Sequence, residues 1–202
     1  MSNAQNSVMK RPYRLGKRAD SQSRTRQKIV DAAVDLHSTL GPARTTVSEI
    51  AERAGVQRHT FYAHFPDERS LFLACSARAL ERDPLPHTED WATVPPGRKR
   101  LELGLGELYG WFERNEQQAA CVLRDAEHHA LTREMVELRM SPTFARAAEL
   151  LGEDLSVPSR RLLRVGMDFG CWRALADSQS PKAAAKLMTD AILALTEPGR
   201  AK

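Results

Sequence analysis

The run over residues 45–66 constrains this chain more than any other stretch. Thr46-Val47-Ser48-Glu49 has the spacing of a capping box, in which the Thr46 hydroxyl accepts from the backbone N–H of Glu49 while the Glu49 carboxylate reaches back to the cap. Ile50, Ala51 and Ala54 then recur on one face of a short helix, and Gly55 can end it at positive φ without steric cost. After Val56 a second short helix is expected over 57–64, stopped by Phe65-Pro66. Two short helices about a glycine turn make a helix-turn-helix, whose second helix enters the major groove of DNA while the first crosses the backbone. Ile50, Val56, Phe61 and Phe65 can pack beneath the unit. Arg58, His59, Thr60, Tyr62 and His64 remain on the solvent side, where their donors suit phosphate oxygens and base edges. Phosphate contact is the expected role of Thr60 and Tyr62, whereas His59 is either a base reader or a solvated side chain.

The rest of the chain reads as helix. Ile29, Ala33, Leu36 and Leu40 recur at helical spacing from near Ser23 until Gly41-Pro42, and Asp67 can cap a fourth helix bearing Leu71, Phe72, Ala74 and Cys75. Ala and Leu number 27 and 23 against only 10 Val and 3 Ile, so helix formers far outweigh β-branched residues and an all-α fold is expected. A proline-rich connector over 82–97 precedes helices expected at 98–115, 117–129, 132–151, 158–176 and 181–196. The resulting organisation is a flexible basic arm (1–22), a helix-turn-helix DNA-binding domain (23–66), a connecting helix (67–81) and a C-terminal helical domain (82–202).

Charge is unevenly distributed. Up to residue 66 there are 11 Lys and Arg against 5 Asp and Glu; beyond it there are 19 against 21. Within 10–28 Asp20 is the sole acid among eight basic side chains, the composition of an arm for polyanions or of a solvated tail. Arg11, Arg14, Lys17 and Arg18 are its candidate DNA contacts. Cys75, Cys121 and Cys171 are odd in number and scattered, which fits neither a disulfide framework nor a zinc module. With no apolar run of membrane-spanning length and no secretory core in the first ten residues, a cytoplasmic location is expected. Phosphate-loop, metalloprotease and serine-hydrolase motifs are lacking, so catalysis is not expected, and neither is a cofactor or metal.

The run Thr46-x-x-x-Ile50-Ala51-x-x-Ala54-Gly55-Val56, followed by Tyr62-x-His64-Phe65-Pro66, resembles the N-terminal signature of the TetR family of bacterial transcriptional regulators. Three positions depart from it: Gln57 replaces a common capping Ser, His59 a common Gly, and Glu68 a common Lys near the start of the fourth helix, for which adjacent Arg69 is the substitute. The resemblance implies an all-helical homodimer on double-stranded operator DNA, released by a small effector bound to the C-terminal domain. The DNA-contacting set is then Thr46, Gln57, Arg58, His59, Thr60, Tyr62, His64 and Arg69 with the arm. A constitutive or protein-regulated DNA-binding factor is the alternative, and an enzyme the remote one.

Bulky, polarisable side chains in the second domain nominate an effector pocket of Tyr109, Phe112, Met140, Phe144, Met167 and Trp172, with Pro142 breaking a helix beside Phe144. A small, largely apolar or aromatic effector follows. The stretch 162–175 is apolar on several faces, and the last helix carries Leu187, Ala191 and Leu195, so Phe169, Leu187, Ala191 and Leu195 are the expected dimer contacts. His128-His129 reads as a polar helix end, and Gly104, Gly106 and Gly110 as small residues for close helix packing.

Overall fold

The computed structural model describes residues 11–176 and 179–195. Eleven α-helices and no strand occur among them, in agreement with the all-α expectation. α1 (Arg11–Thr39), α2 (Val47–Ala54), α3 (Arg58–His64) and α4 (Glu68–Arg82) form the N-terminal unit. α5 (Arg98–Arg114), α6 (Glu116–Ala126), α7 (Ala130–Arg139), α8 (Ser141–Leu151), α9 (Val157–Gly166), α10 (Phe169–Leu175) and α11 (Pro181–Ala194) form the C-terminal one.

Each unit has its own core. In the first, Ile29, Ala33, Ile50, Ala51, Phe61, Phe65, Leu71 and Cys75 are buried together. In the second, α5 lies along α11, and Leu101, Leu105, Leu108 and Phe112 pack with Ala184, Ala185, Met188 and Ile192 in one cluster. Gly104 allows α8 close to α5: a Cβ there would collide with the Leu151 side chain at 2.6 Å. The connector also feeds this core, since a 3₁₀ turn (Thr88–Thr93) buries Trp91, whose indole N–H donates to Glu107 at 2.7 Å.

Four expectations change. α1 starts at Arg11 and not near Ser23, so the proposed arm continues as helix from Arg11; residues 1–10 lie outside the described set, as do the side chains of Arg11, Arg14, Lys17 and Arg18. Apolar periodicity found only the packed part of α1, from Ile29 on, because residues 19–28 are almost wholly exposed and rely on local helix propensity. The single helix expected over 132–151 is α7 and α8, parted at Met140 with Pro142 in the first turn of α8. Likewise 158–176 divides into α9 and α10, because the Asp168 carboxylate caps α10 by accepting the N–H groups of Gly170 and Cys171 at 2.8 and 3.1 Å. α11 ends at Ala194, and Thr196 lies outside the described residues.

The units join at two seams. At the first, the Asp125 carboxylate on α6 accepts the Ala43 N–H at 2.9 Å, and Arg124 donates to the Leu40 carbonyl at 3.2 Å. At the second, the Arg69 guanidinium on α4 pairs with Glu134 on α7 at 2.6 Å, and Arg139 donates to the Leu73 carbonyl at 3.2 Å.

Candidate nucleic-acid interface and the adjoining cavity

The α2 capping box forms with both halves in place. Glu49 donates its N–H to the Thr46 hydroxyl at 3.3 Å, and the Thr46 N–H donates to the Glu49 carboxylate at 2.8 Å. The Thr46 N–H and hydroxyl, both donating to it, hold the Glu49 carboxyl below its ordinary pKa. At the other end Gly55 takes φ 67°, and Val56 donates to the Ala51 carbonyl at 2.9 Å, turning the chain into α3. Phe61 and Phe65 face inward, and the Arg26 guanidinium lies 4.2 Å above the Phe65 ring while donating to the His64 carbonyl at 3.4 Å. α3 is therefore fixed against α1 from below.

Its outer face is open. Gln57, Arg58, His59 and Tyr62 are exposed, Tyr62 to 45%, and Thr60 and His64 are half-buried. No carboxylate engages Arg58 among the described residues, so its donors are available. Two expected contacts are otherwise committed: the Thr46 hydroxyl serves the cap, also donating to Glu49 at 2.7 Å, and Arg69 is held by Glu134. Arg69 thus stitches α4 to α7 where a phosphate partner was expected, because α7 places a carboxylate within its reach.

A cavity of about 90 Å³ lies behind this unit, between α1 and α4 on one side and α6 and α7 on the other. Val34, Leu80, Trp111, Val122 and Met135 give it an apolar wall, interrupted by His37, Cys75, Ser76 and Arg139. A space of about 350 Å³ beside α2 and α3, bounded by Ile50, Phe61, Tyr62 and Phe65, shares His37 and Phe72 with the cavity. The Phe72 ring stands between two imidazoles, 5.2 Å from His37 and 5.7 Å from His129. Burial pushes His37 down to about 4, with the His129 charge adding and the Asp125 charge opposing, so the ring is neutral at neutral pH. Burial likewise raises the Cys75 thiol to about 12, and its sulfur lies 3.5 Å from His37 Nδ1.

Only Met140 of the six nominated pocket residues lines this cavity. Phe112 is instead the hub of an aromatic cluster with Phe144, Phe169 and Trp172, at centroid separations of 6.1, 5.4 and 5.6 Å. Met167 joins the same core, and the buried Tyr109 hydroxyl donates to the Gly166 carbonyl at 2.6 Å. Rings packed edge to tilted face are core packing, so these side chains serve one another. Phe169 belongs to this cluster as well, which removes it from the expected dimer contacts. Leu187, Ala191 and Leu195 do lie on the exposed face of α11, next to Val157 and Val165 on α9. The two helices run antiparallel, since Ser156 donates to the Leu195 carbonyl at 3.4 Å at one end and Gly166 abuts Met188 at the other. His129 caps α7, accepting the Thr132 N–H at 3.3 Å, as a polar helix end should.

His37, Phe72, Cys75, Asp125 and Arg139 were missed. His37 had a readable signal, being the one polar side chain on the apolar stripe of α1.

The fold and this site define an all-helical protein of the helix-turn-helix class. Residues 29–75 match the family model described as bacterial regulatory proteins, tetR family. Among curated relatives, the chain is 33% identical over 137 residues to the HTH-type transcriptional repressor KstR of Rhodococcus jostii, covering 64% of this chain and 62% of that protein. It is 48% identical over 48 residues to the HTH-type transcriptional regulator AcrR of Shigella flexneri, covering 24% of this chain and 22% of that one. The matches thus span less than two thirds of either relative. Among solved structures, a linker-substituted mutant of HlyIIR shares the fold at a TM-score of 0.62, with 16% identity over 89% of this chain and 99% of that chain. Residues 29–75 thus carry the N-terminal signature of that family, and the chain is similar to its members there.

Proposed function

We propose that this protein is a homodimeric, sequence-specific DNA-binding transcriptional regulator, a repressor that leaves its operator when a small molecule enters the cavity between α1, α4, α6 and α7. One observation carries the reading: α3 lies beside a space that shares the His37 and Phe72 wall with that cavity. Arg58 and His59 read base edges, and Gln57, Thr60, Tyr62 and His64 hold the backbone with the basic first turns of α1. Leu187, Ala191 and Leu195, with Val157 and Val165, give a two-fold interface that presents the two α3 helices to inverted half-sites. The names of the two curated relatives, a transcriptional repressor and a transcriptional regulator, support the same function. By linkage, a ligand that lowers operator affinity binds the DNA-free protein more tightly by the same factor.

Selection of bound fragments from a random DNA pool, followed by footprinting, tests this. The expected result is an inverted repeat with half-sites about one helical turn apart or somewhat more. Recovery of no preferred sequence overturns it.

A further inference from the structure

We infer that the effector is a compact amphipathic anion, an apolar body bearing a carboxylate-like head that Arg139 receives. The inference rests on reading the cavity as the effector site. The cavity wall is apolar apart from a few side chains, and no Asp, Glu or Lys lines it. With His37 neutral, Arg139 is the only charged group among its described lining residues.

Arg139 also lacks a carboxylate partner. At the two seams, Arg69 is matched with Glu134 and Arg124 with Asp125. Half-buried Arg139 instead donates to the Leu73 carbonyl at 3.2 Å and the Ser76 hydroxyl at 3.5 Å, and no carboxylate pairs with it among the described residues. Two bonds use part of a five-donor fork. They anchor the guanidinium to α4 and leave donors for a bidentate acceptor at the cavity. An anion satisfies that fork; a neutral ligand leaves it without a counter-charge, and a cation is repelled. Because Arg139 on α7 is bonded to α4, a head group bound there bears on the seam between the two units.

Titration calorimetry of the full chain with phenylbutyrate, phenylbutanol and phenylbutylamine tests this, because the three share a body and differ in the head. Phenylbutyrate should bind about ten-fold or more tightly than the alcohol, and the amine most weakly. Arg139→Gln should abolish the acid-over-alcohol preference and Arg139→Lys restore most of it; a ratio of affinities is insensitive to any general loss of stability. Equal binding of acid and alcohol by the native chain overturns the anionic class and leaves the cavity as effector site. Undiminished acid binding by Leu123→Trp, which fills the cavity, overturns the cavity reading itself, and failure of all three probes to bind at millimolar concentration overturns both.

Discussion

Asp125, in the last turn of α6, accepts the backbone N–H of Ala43 at 2.9 Å and so ties the C-terminal unit to the turn that launches the helix-turn-helix. The carboxyl group is buried, which by itself would raise its pKa. The Ala43 N–H and Arg124 outweigh burial and hold it below the ordinary value. Gly41 makes the contact possible, because its φ of 99° is open to few other residues and a Cβ there would strike the Asp125 carboxylate.

Removing this latch should therefore be costly. Asp125→Ala leaves the Ala43 N–H without a partner, an expected loss of about 1–3 kcal/mol in urea unfolding. Gly41→Ala should lose at least as much, from backbone strain and collision together. A Gly41→Ala protein as stable as the native one would show that the latch contributes nothing.

The two kinds of DNA contact should separate by sequence dependence. Arg58→Ala is expected to cost about 1–3 kcal/mol on the best site and to relax preference at one base position, as loss of a guanine reader would. Tyr62→Phe should cost about 1 kcal/mol on every sequence alike, the size of one hydroxyl bond to phosphate. Competition binding across a panel of single-base variants distinguishes them; a uniform loss for Arg58→Ala would reassign that side chain to the backbone.

Acid should weaken the fold through His37. Its folded pKa is about 4 against an ordinary 6.5, so the unfolded chain takes up the proton first as pH falls. The stability is complete above about 6.5 and is lost between there and about 4, amounting to about 3 kcal/mol. Chemical denaturation at stepped pH should show this slope, and His37→Phe, which keeps a ring against Phe72, should flatten it. An equal slope in both proteins would exclude His37 as the titrating group.

Dimerisation should depend on the outer face of α11. Leu187, 48% exposed in the single chain, becomes covered in the proposed dimer. Leu187→Asp should weaken self-association about ten-fold or more by burying a charge, and operator binding with it. Sedimentation equilibrium reads the first effect, and an unchanged dimer would move the interface elsewhere.

The helix-turn-helix was legible because its determinants are local. The Thr46 and Glu49 box, Gly55, and the inward spacing of Phe61 and Phe65 each act within a few residues. The cavity was not legible for the opposite reason. Its wall joins His37 of α1 and Phe72 of α4 to Met135 and Arg139 of α7, side chains that only tertiary packing brings together. Aromatic richness misled, since Phe112, Phe144 and Trp172 satisfy one another. Helix starts were read well at Pro158 and Pro181, in the first turns of α9 and α11, and poorly where a carboxylate cap does the same work, as at Asp168.

The wall of His37 and Phe72 divides the cavity residues by how freely they can be altered. Val122, Val136 and Met140 border the cavity alone, so a protein engineer reshaping it for a new analyte can vary them while leaving the footing of α3 untouched. Phe72 belongs to both compartments, so under the proposed function a change in its bulk would alter sensor and actuator at once. Libraries for a biosensor built on this scaffold should accordingly keep that ring fixed and diversify the far side.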